Sequence, residues 1–502
     1  MATDNSMFFP NRKALSDEFN FTPKPSSVNG RSYRVSIPVS NGNSFAAGGT
    51  LIWNIPCGKA RTLLDPASSY IRYTIKNTTT QTASSQPVVI SSTLPANGYT
   101  ATATATNTVA NSIVTTYGAG LFVDHNAYNI FNTSTLYSGS NMLEYINGCN
   151  ILYSYLLDTN FSYANALSNA LNYGMAIPDT SPLEIRRGTL LSNIAGTTAS
   201  ATTSTFIEEQ NTFCIPLLSG LLGMGSSGKF VPIYKIQDTL RLEILLESQA
   251  NAFCKVGEVA STYSVISAEL ELQYIEVDQE GMNLIESTSP MGSPTFIVGT
   301  SFRHYTQSLP SQQGIFNCLV PSKLASLKNI IVLPRPASTQ NDVNSYSLSS
   351  RANPNFDYFV MKVSGTQVPQ KPIYLQNSNS TGGYPEALTE IFKSVGSLIG
   401  TDKAGLLMTT NYNVAQVANT ATGVFALKPV SQSYQNAFAL ALDLELFSSK
   451  STIINGLNCL GESLYFEANV SAAAGQIYNL DFYACFDNLF IIDQSGYVSS
   501  RA

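Results

Sequence analysis

The tightest constraint on the fold is a repeated punctuation. Runs rich in β-branched and aromatic residues are broken every ten to twenty residues by Gly, Pro, Asn or Ser clusters. SYRVSIPVS, LIWNIP, SYIRYTIKN, LRLEILLE, VISAELELQYIEV, NIIVLP, FDYFVMKVSG, FALALDLELF, LYFEANV and LDFYACFDNLFIID all read this way. Side chains alternate across a strand, so such runs bury one face of a sheet and stop at turns. Helical spacing occurs at two places. Residues 141–157 put Leu143, Ile146, Ile151 and Leu157 near one face, and 386–399 follow Pro385, a favoured first helical residue. The expected class is all-β with minor helices.

At 502 residues the chain exceeds the roughly 250–300 at which one hydrophobic core stops growing, so two or more domains are expected. The order of features repeats. IPCGKARTL at 55–63 is similar to VPSKLASL at 320–327, a helix pattern follows in each half, and VDQEG at 277–281 is similar to IDQSG at 492–496. The offset between matching features falls from 265 to 215, so the first half carries about 50 extra residues. Two Thr-rich segments, 77–117 and 193–205, total roughly that number and hold little to bury. Both are expected in exposed loops, or, for the Ala/Thr alternation, in a hairpin against a neighbouring copy. The turn-rich ESTSPMGSPT at 286–295 is the expected junction. It divides the chain into an N-terminal arm at 1–30, a first unit at 31–288 and a second at 289–502. The arm spaces Phe8, Phe9, Phe19 and Phe21 among prolines and balances its charges, which fits a protein-clamping arm better than a DNA-binding one.

Charged residues make up only 12% of the chain and the net charge is −6, so no basic field draws it to nucleic acid. A Ser/Thr/Asn/Gln surface carries little repulsion between copies and suits self-packing. The start, MATDNSMFFPNRKALSDEF, lacks a secretory apolar run, so synthesis in the cytosol is expected. No membrane span is expected either, since no stretch of about 18 apolar residues occurs. Seven cysteines (Cys57, Cys149, Cys214, Cys254, Cys318, Cys459, Cys485) form neither a CxxC pair nor a readable disulfide framework, and core filling is expected for most.

Chemical motifs are sparse. Gly223 to Lys229 fits GxxxxGK, but Phe230 stands where a magnesium-binding hydroxyl belongs and a strand-like run follows, so a glycine-rich turn is favoured over a phosphate cradle. His125 and His304 lie in no nucleophile motif and are expected to be structural, near strand ends. Glu269 and Glu271 share a strand face with Gln273, and Glu276, Asp278 and Glu280 follow; a solvated face is favoured over a metal or glycosidase pair. The basic groups Arg186, Arg187, Lys323, Lys328, Arg335 and Lys371 are scattered. Asn-X-Ser/Thr triplets at Asn77, Asn132, Asn160 and Asn379 follow from composition. No catalytic, cofactor-binding or metal-binding residue is assigned, and no cofactor is expected.

Several stretches, in order, carry a resemblance. They are TLLDPASSYIRYTIKN, NIFNTSTLYSGSNMLEYINGCNILYSYLLD and FCIPLLSGLLG running into VPIYKIQDTLRLEILLE, then FRHYTQSLPSQQGIFNCLVPSKLASLKNIIVL, VPQKPIY, NGLNCLGESLYFEANV and LDFYACFDNLFIID. The chain resembles the double jelly-roll major capsid proteins of Polinton-like and adenovirus-like eukaryotic DNA viruses. That resemblance implies two tandem eight-stranded jelly rolls and a homotrimeric, pseudo-hexagonal capsomer that tiles an icosahedral shell. As partners it implies neighbouring capsomers, a separate penton protein and nonspecific genome contact on the inner face. A β-sandwich adhesin or carbohydrate-binding surface protein is the alternative reading, and a stable trimer would discriminate between them.

Overall fold

The computed structural model describes residues 29–77, 90–91, 114–115, 117–160, 173–174, 187–195, 206–207, 210–226, 228–256, 262–288, 290, 292–343, 346–375, 385–395, 437–445, 454–471 and 474–502. Eight principal strands lie in the first half: β1 (Gly30–Pro38), β2 (Thr50–Ile55), β3 (Thr62–Asn77), β4 (Phe131–Ser138), β5 (Asn141–Asn147), β6 (Gln210–Pro216), β7 (Leu240–Leu246) and β8 (Tyr263–Val277). They form two antiparallel sheets in the orders β1-β8-β3-β6 and β2-β7-β4-β5. Eight more lie in the second half: β9 (Thr295–Leu309), β10 (Gly314–Val320), β11 (Leu327–Pro336), β12 (Phe356–Val363), β13 (Thr366–Tyr374), β14 (Leu440–Asp443), β15 (Leu464–Val470) and β16 (Tyr478–Ile492). Their orders are β9-β16-β11-β14 and β10-β15-β12-β13, the first pair of orders with every number raised by eight. Two four-stranded sheets connected in this way form a jelly roll, so the chain is two tandem jelly rolls. Among the described residues, no sheet takes strands from both halves.

The alternation read in the sequence is the alternation of burial. In β7, Leu240, Leu242, Ile244 and Leu246 are buried, and Arg241, Glu243 and Leu245 point outward. Each fully buried Leu or Ile contributes about 1.5–3 kcal/mol relative to exposure. Trp53, Tyr73 and Ile244 belong to the core of the first roll and Phe359, Phe466 and Phe482 to that of the second, within one continuous apolar cluster. β16 breaks the alternation and is buried along nearly its whole length. A strand covered on both faces needs no polar side.

The expected helix over 141–157 is half a strand. Asn141–Asn147 pairs with β4, and the helix α1 begins only at Cys149 and runs to Asn160. Between them Gly148 takes φ +62°, where its missing Cβ also leaves room for the Tyr483 hydroxyl. Leu143 and Ile146 are buried, as a helical face would have them, but cross-strand pairing decided the local conformation. The helix after Pro385 is present as α3 (Pro385–Ser394), and α2 (Gln279–Thr288) occupies the start of the expected junction. The matching motifs end differently. In the first half Asp278 accepts from the Gly281 N–H and starts α2; in the second, Asp493 to Gly496 turn back into a short strand, Val498–Arg501, on β16.

The extra length of the first half is concentrated in one connection. Matching strands start 265 residues apart at β3 and β11 but 225 apart at β4 and β12, so most of the excess lies between β3 and β4. The second Thr-rich segment adds no net length, because the connection between β13 and β14 is equally long. Of 77–117, the pairs Ile90–Ser91 and Val114–Thr115 form a small hairpin, and Tyr117–Asp124 joins Arg187–Ala195, Phe206–Ile207 and Phe253–Val256 in an accessory sheet. The rest of that segment, residues 196–205 and the arm over 1–28 lie outside the described residues. Gly30, assigned to the arm by sequence, begins β1 and pairs with Val277.

Candidate assembly site at the seam between the jelly rolls

The two rolls meet where β5, the edge of one sheet, crosses β9, the edge of another. Glu144 on β5 is the centre of this contact. Ser219 Oγ donates to its Oε2 at 2.6 Å, and its Oε1 accepts from the Gly220 N–H at 2.9 Å and from Ser301 Oγ of the second roll at 2.5 Å. Burial pushes the Glu144 carboxyl above its ordinary value, and those three donors pull it back. Nearby, Tyr483 Oη donates to the Gly148 carbonyl at 2.8 Å, and Asn488 Nδ2 to the Leu143 carbonyl at 3.4 Å.

The glycine-rich run at 217–229 is a packing device of this seam. Thr300 N–H donates to the Gly225 carbonyl at 2.6 Å, and Ser226 bridges Gly299. A Cβ on Gly225 would stand 2.1 Å from the Thr300 carbonyl oxygen, and one on Gly299 would stand 2.0 Å from that of Gly220. Backbone lies against backbone here, which only glycine permits. Gly223 to Lys229 therefore opens no helix: the chain runs through turns to Val231, which pairs with Leu64. Lys229 is exposed, whereas Gly223 is buried.

Both histidines belong to buried His–Asp–Arg groups. His125 follows the end of the accessory strand with φ +66°, its Nε2 3.3 Å from Asp158 Oδ1, and Arg351 of the second roll donates to Asp158 Oδ2. His304 lies within β9 rather than at a strand end. Its Nε2 is 2.8 Å from Asp481 Oδ1, its ring stacks on Tyr483, and its Nδ1 is 3.3 Å from Asn147 Nδ2 of the first roll. Arg335 Nε donates to Asp481 Oδ2 at 2.6 Å. Burial opposes the Asp481 charge, but Arg335 and His304 outweigh it and hold that carboxyl down at about 2. Asp124 adds a further tie, accepting from Leu348 N–H at 2.8 Å and from Ser349 Oγ at 2.5 Å. Each imidazole has both ring nitrogens within reach of Asp and Asn side chains, and these partners fix the position of the ring.

The remaining sequence candidates sit away from the seam. Glu269 and Glu271 share the outer face of β8 with Gln273 and pair across strands with Arg72 at 3.0 Å and Arg34 at 3.4 Å; Glu276 pairs with Arg31 at 2.8 Å. The face is thus a ladder of opposite charges, with Glu271 buried beneath it rather than solvated. Lys323 donates to the Glu462 carbonyl, Lys328 lies 3.1 Å from Glu445, and Lys371 is exposed on β13. Arg186 and Asn379, and the side chains of Arg187, Asn77 and Cys254, lie outside what is described. Cys149, Cys459 and Cys485 are buried, Cys57 and Cys318 half-buried, and Cys214 exposed. Among the described residues no cluster of three or more His, Cys, Asp or Glu side chains is placed to hold a metal, and no helix is long and apolar enough to cross a membrane. Reading the sequence missed Glu144, Asp158, Asp481 and Arg351; the signal was a lone charge inside an apolar run, as in NMLEYIN and LDFYACF.

Two consecutive jelly rolls of equal strand order, joined by a polar buried seam, define the double jelly-roll fold. The same fold is found in solved viral capsid proteins. The chain is similar to VP54 of PBCV-1, fitted into a reconstruction of the virophage Sputnik, with a TM-score of 0.56 at 11% identity over 96% of this chain and 99% of that one. It is similar to the Faustovirus major capsid protein, with a TM-score of 0.54 at 13% identity over 95% and 92%, and to the mavirus major capsid protein, with 0.51 at 11% over 98% and 95%. No protein-family model and no curated protein sequence matches the chain.

Proposed function

We propose that the chain is a major capsid protein, a structural subunit without catalytic activity that assembles as a homotrimeric, pseudo-hexagonal capsomer in an icosahedral virion. The observation that carries this reading is the exact repetition of one eight-strand order in both halves, in a fold shared over nearly full length with viral major capsid proteins. Two similar blocks per chain let three chains present six similar faces, so one product can tile a shell. In this reading the first block runs from Gly30, where β1 begins, to residue 288 and the second from 289 to 502, preceded by the arm. Its partners are neighbouring capsomers, a penton protein and, without sequence preference, the genome. Native mass measurement and electron microscopy of the purified protein test it. Particles of three times the 54.1 kDa chain mass with a hexagonal outline are expected, and a stable monomer would refute the capsid assignment.

A further inference from the structure

The two rolls leave a groove beside their seam. It holds about 370 Å³ and is walled by Met142 and Tyr145 of β5, Arg303 and Tyr305 of β9, and Phe486 and Asn488 of β16. Asn488 is 3% exposed, and its Nδ2 donates to the Leu143 carbonyl, which leaves Oδ1 as an acceptor to which nothing donates among the described residues. A buried acceptor without a donor is rare in a finished fold. Met142 and Tyr145 are 54% and 50% exposed. Residues three apart on a regular strand face opposite ways, but the pairing with β4 shifts between Leu136–Glu144 and Tyr137–Met142, and the extra residue brings both side chains to the groove. Arg303 is exposed, lies over the Phe486 ring at 5.3 Å from its centroid, and has no acidic partner among the described residues. Glu144 also lines the groove, but its three donors already hold it. An occupant of this groove therefore brings an apolar ring, an N–H and a negative charge in one piece.

We infer that residues 17–21 of the chain's own arm dock in this groove and latch the first roll to the second. Asp17, Phe19 and Phe21 fall on one side of an extended segment. Phe19 packs on Met142 and Tyr145, where a thioether and a ring both favour an aromatic partner. Asp17 meets Arg303, and a backbone N–H of the segment donates to Asn488 Oδ1. The topology puts the arm at the right end of the roll. Gly30 faces Val277, Glu276 faces Thr62, Ile55 faces Leu240, Leu240 faces Ser138 and Ser138 faces Asn141, so β1 and β5 start at the same end. β1 packs beside β2 of the other sheet, a step of about 10 Å, and β5 lies three strands beyond β2, about 14 Å further. The chain from Phe19 to Gly30 reaches about 35 Å when extended, so the groove of the same molecule is within its span. The latch goes beyond the capsid reading and holds whether or not copies assemble.

Photo-cross-linking of the full chain tests the latch. Phe19 is replaced by p-benzoylphenylalanine, the protein is irradiated, and the linked peptides are identified by mass spectrometry after denaturing electrophoresis. Trp53, the sole tryptophan and fully buried in the first roll, reports by its emission that each variant is folded. A product of single-chain mass that joins position 19 to Met142 or Tyr145 is expected. Arg303→Glu should lower its yield by about fivefold, and Asp17→Arg in that background should restore it, as for an ion pair at a groove rim. A product of two-chain mass through the same residues would mean that the arm clamps another copy, and would overturn the proposal. Linkage elsewhere, or no product from folded protein, would overturn it as well, and a yield indifferent to Arg303→Glu would overturn the pairing with Asp17. None of these results bears on the native mass of the particle, so the capsid reading stands or falls separately.

Discussion

Replacing Glu144 with Ala should unlock the seam. The substitution removes a carboxylate that accepts from Ser219, Gly220 and Ser301. A hydrogen bond to a charged acceptor contributes about 1.5–3 kcal/mol net, and a buried donor left without a partner costs about 1–3 kcal/mol. Against this, ionised Glu144 is itself penalised by burial, since its carboxyl is raised above the ordinary 4.5. The balance is a loss of about 3 kcal/mol, or roughly 6–12 °C in Tm for a unit of this size. Glu144→Gln keeps one acceptor and the shape, and should lose about 1 kcal/mol. Unfolding followed through Trp53 emission reads both, because Trp53 lies in the roll that carries Glu144. The sign of the pH dependence follows from the raised carboxyl. The protonated form is favoured in the folded state, so its stabilising contribution is complete below 4.5 and is lost as pH rises through the folded value. The wild type should therefore gain on Glu144→Gln between pH 7 and 4.5. An alanine variant within about 0.5 kcal/mol of wild type, or a pH slope of the opposite sign, would refute this account of the seam.

Three other outcomes are expected. Gly299→Val puts a Cβ 2.0 Å from the Gly220 carbonyl oxygen and should lower stability by at least about 3 kcal/mol by urea unfolding; a normal midpoint would show that the two backbones do not touch. Asp481→Asn strands the buried Arg335 and should cost about 3–5 kcal/mol, most of it recovered by combining Asp481→Leu with Arg335→Met. Because its carboxyl lies at about 2 against the usual 3.8, Asp481 contributes roughly 2 kcal/mol above pH 3.8 that fades as pH falls towards 2, and an acid limb of unfolding unchanged in the double variant would contradict this. Lys229→Ala, on an exposed turn, should stay within about 0.5 kcal/mol, and ATP binding abolished by the change would restore the phosphate-loop reading.

Most of the architecture was legible because strands announce themselves locally. Leu240 to Leu246 alternate in the sequence as they alternate between core and surface. The repeated order of IPCGKARTL, VPSKLASL and the two DQxG motifs placed matching strands in matching positions, since duplication preserves order even when identity is lost. Less legible were the polar strands: FNTSTLYS of β4 carries few apolar residues, yet it pairs on both sides and is nearly all buried. At 141–147 two periods fit the same apolar residues, and the sheet chose between them.

What the chain by itself determined is therefore the class and the duplication, both of which rest on residue type and spacing along one strand at a time. Tertiary structure alone decided that Gly225 and Gly299 are contact points, that Glu271 is buried while Glu269 is not, and that each histidine is tied to an aspartate and an arginine. His304 and Asp481 stand 177 residues apart, and Asp158 and Arg351 stand 193 apart. No local pattern records such partners, because a charge is buried at tolerable cost only when a counter-charge or hydrogen-bond donors arrive from elsewhere in the chain, and that arrival is a property of the packed fold.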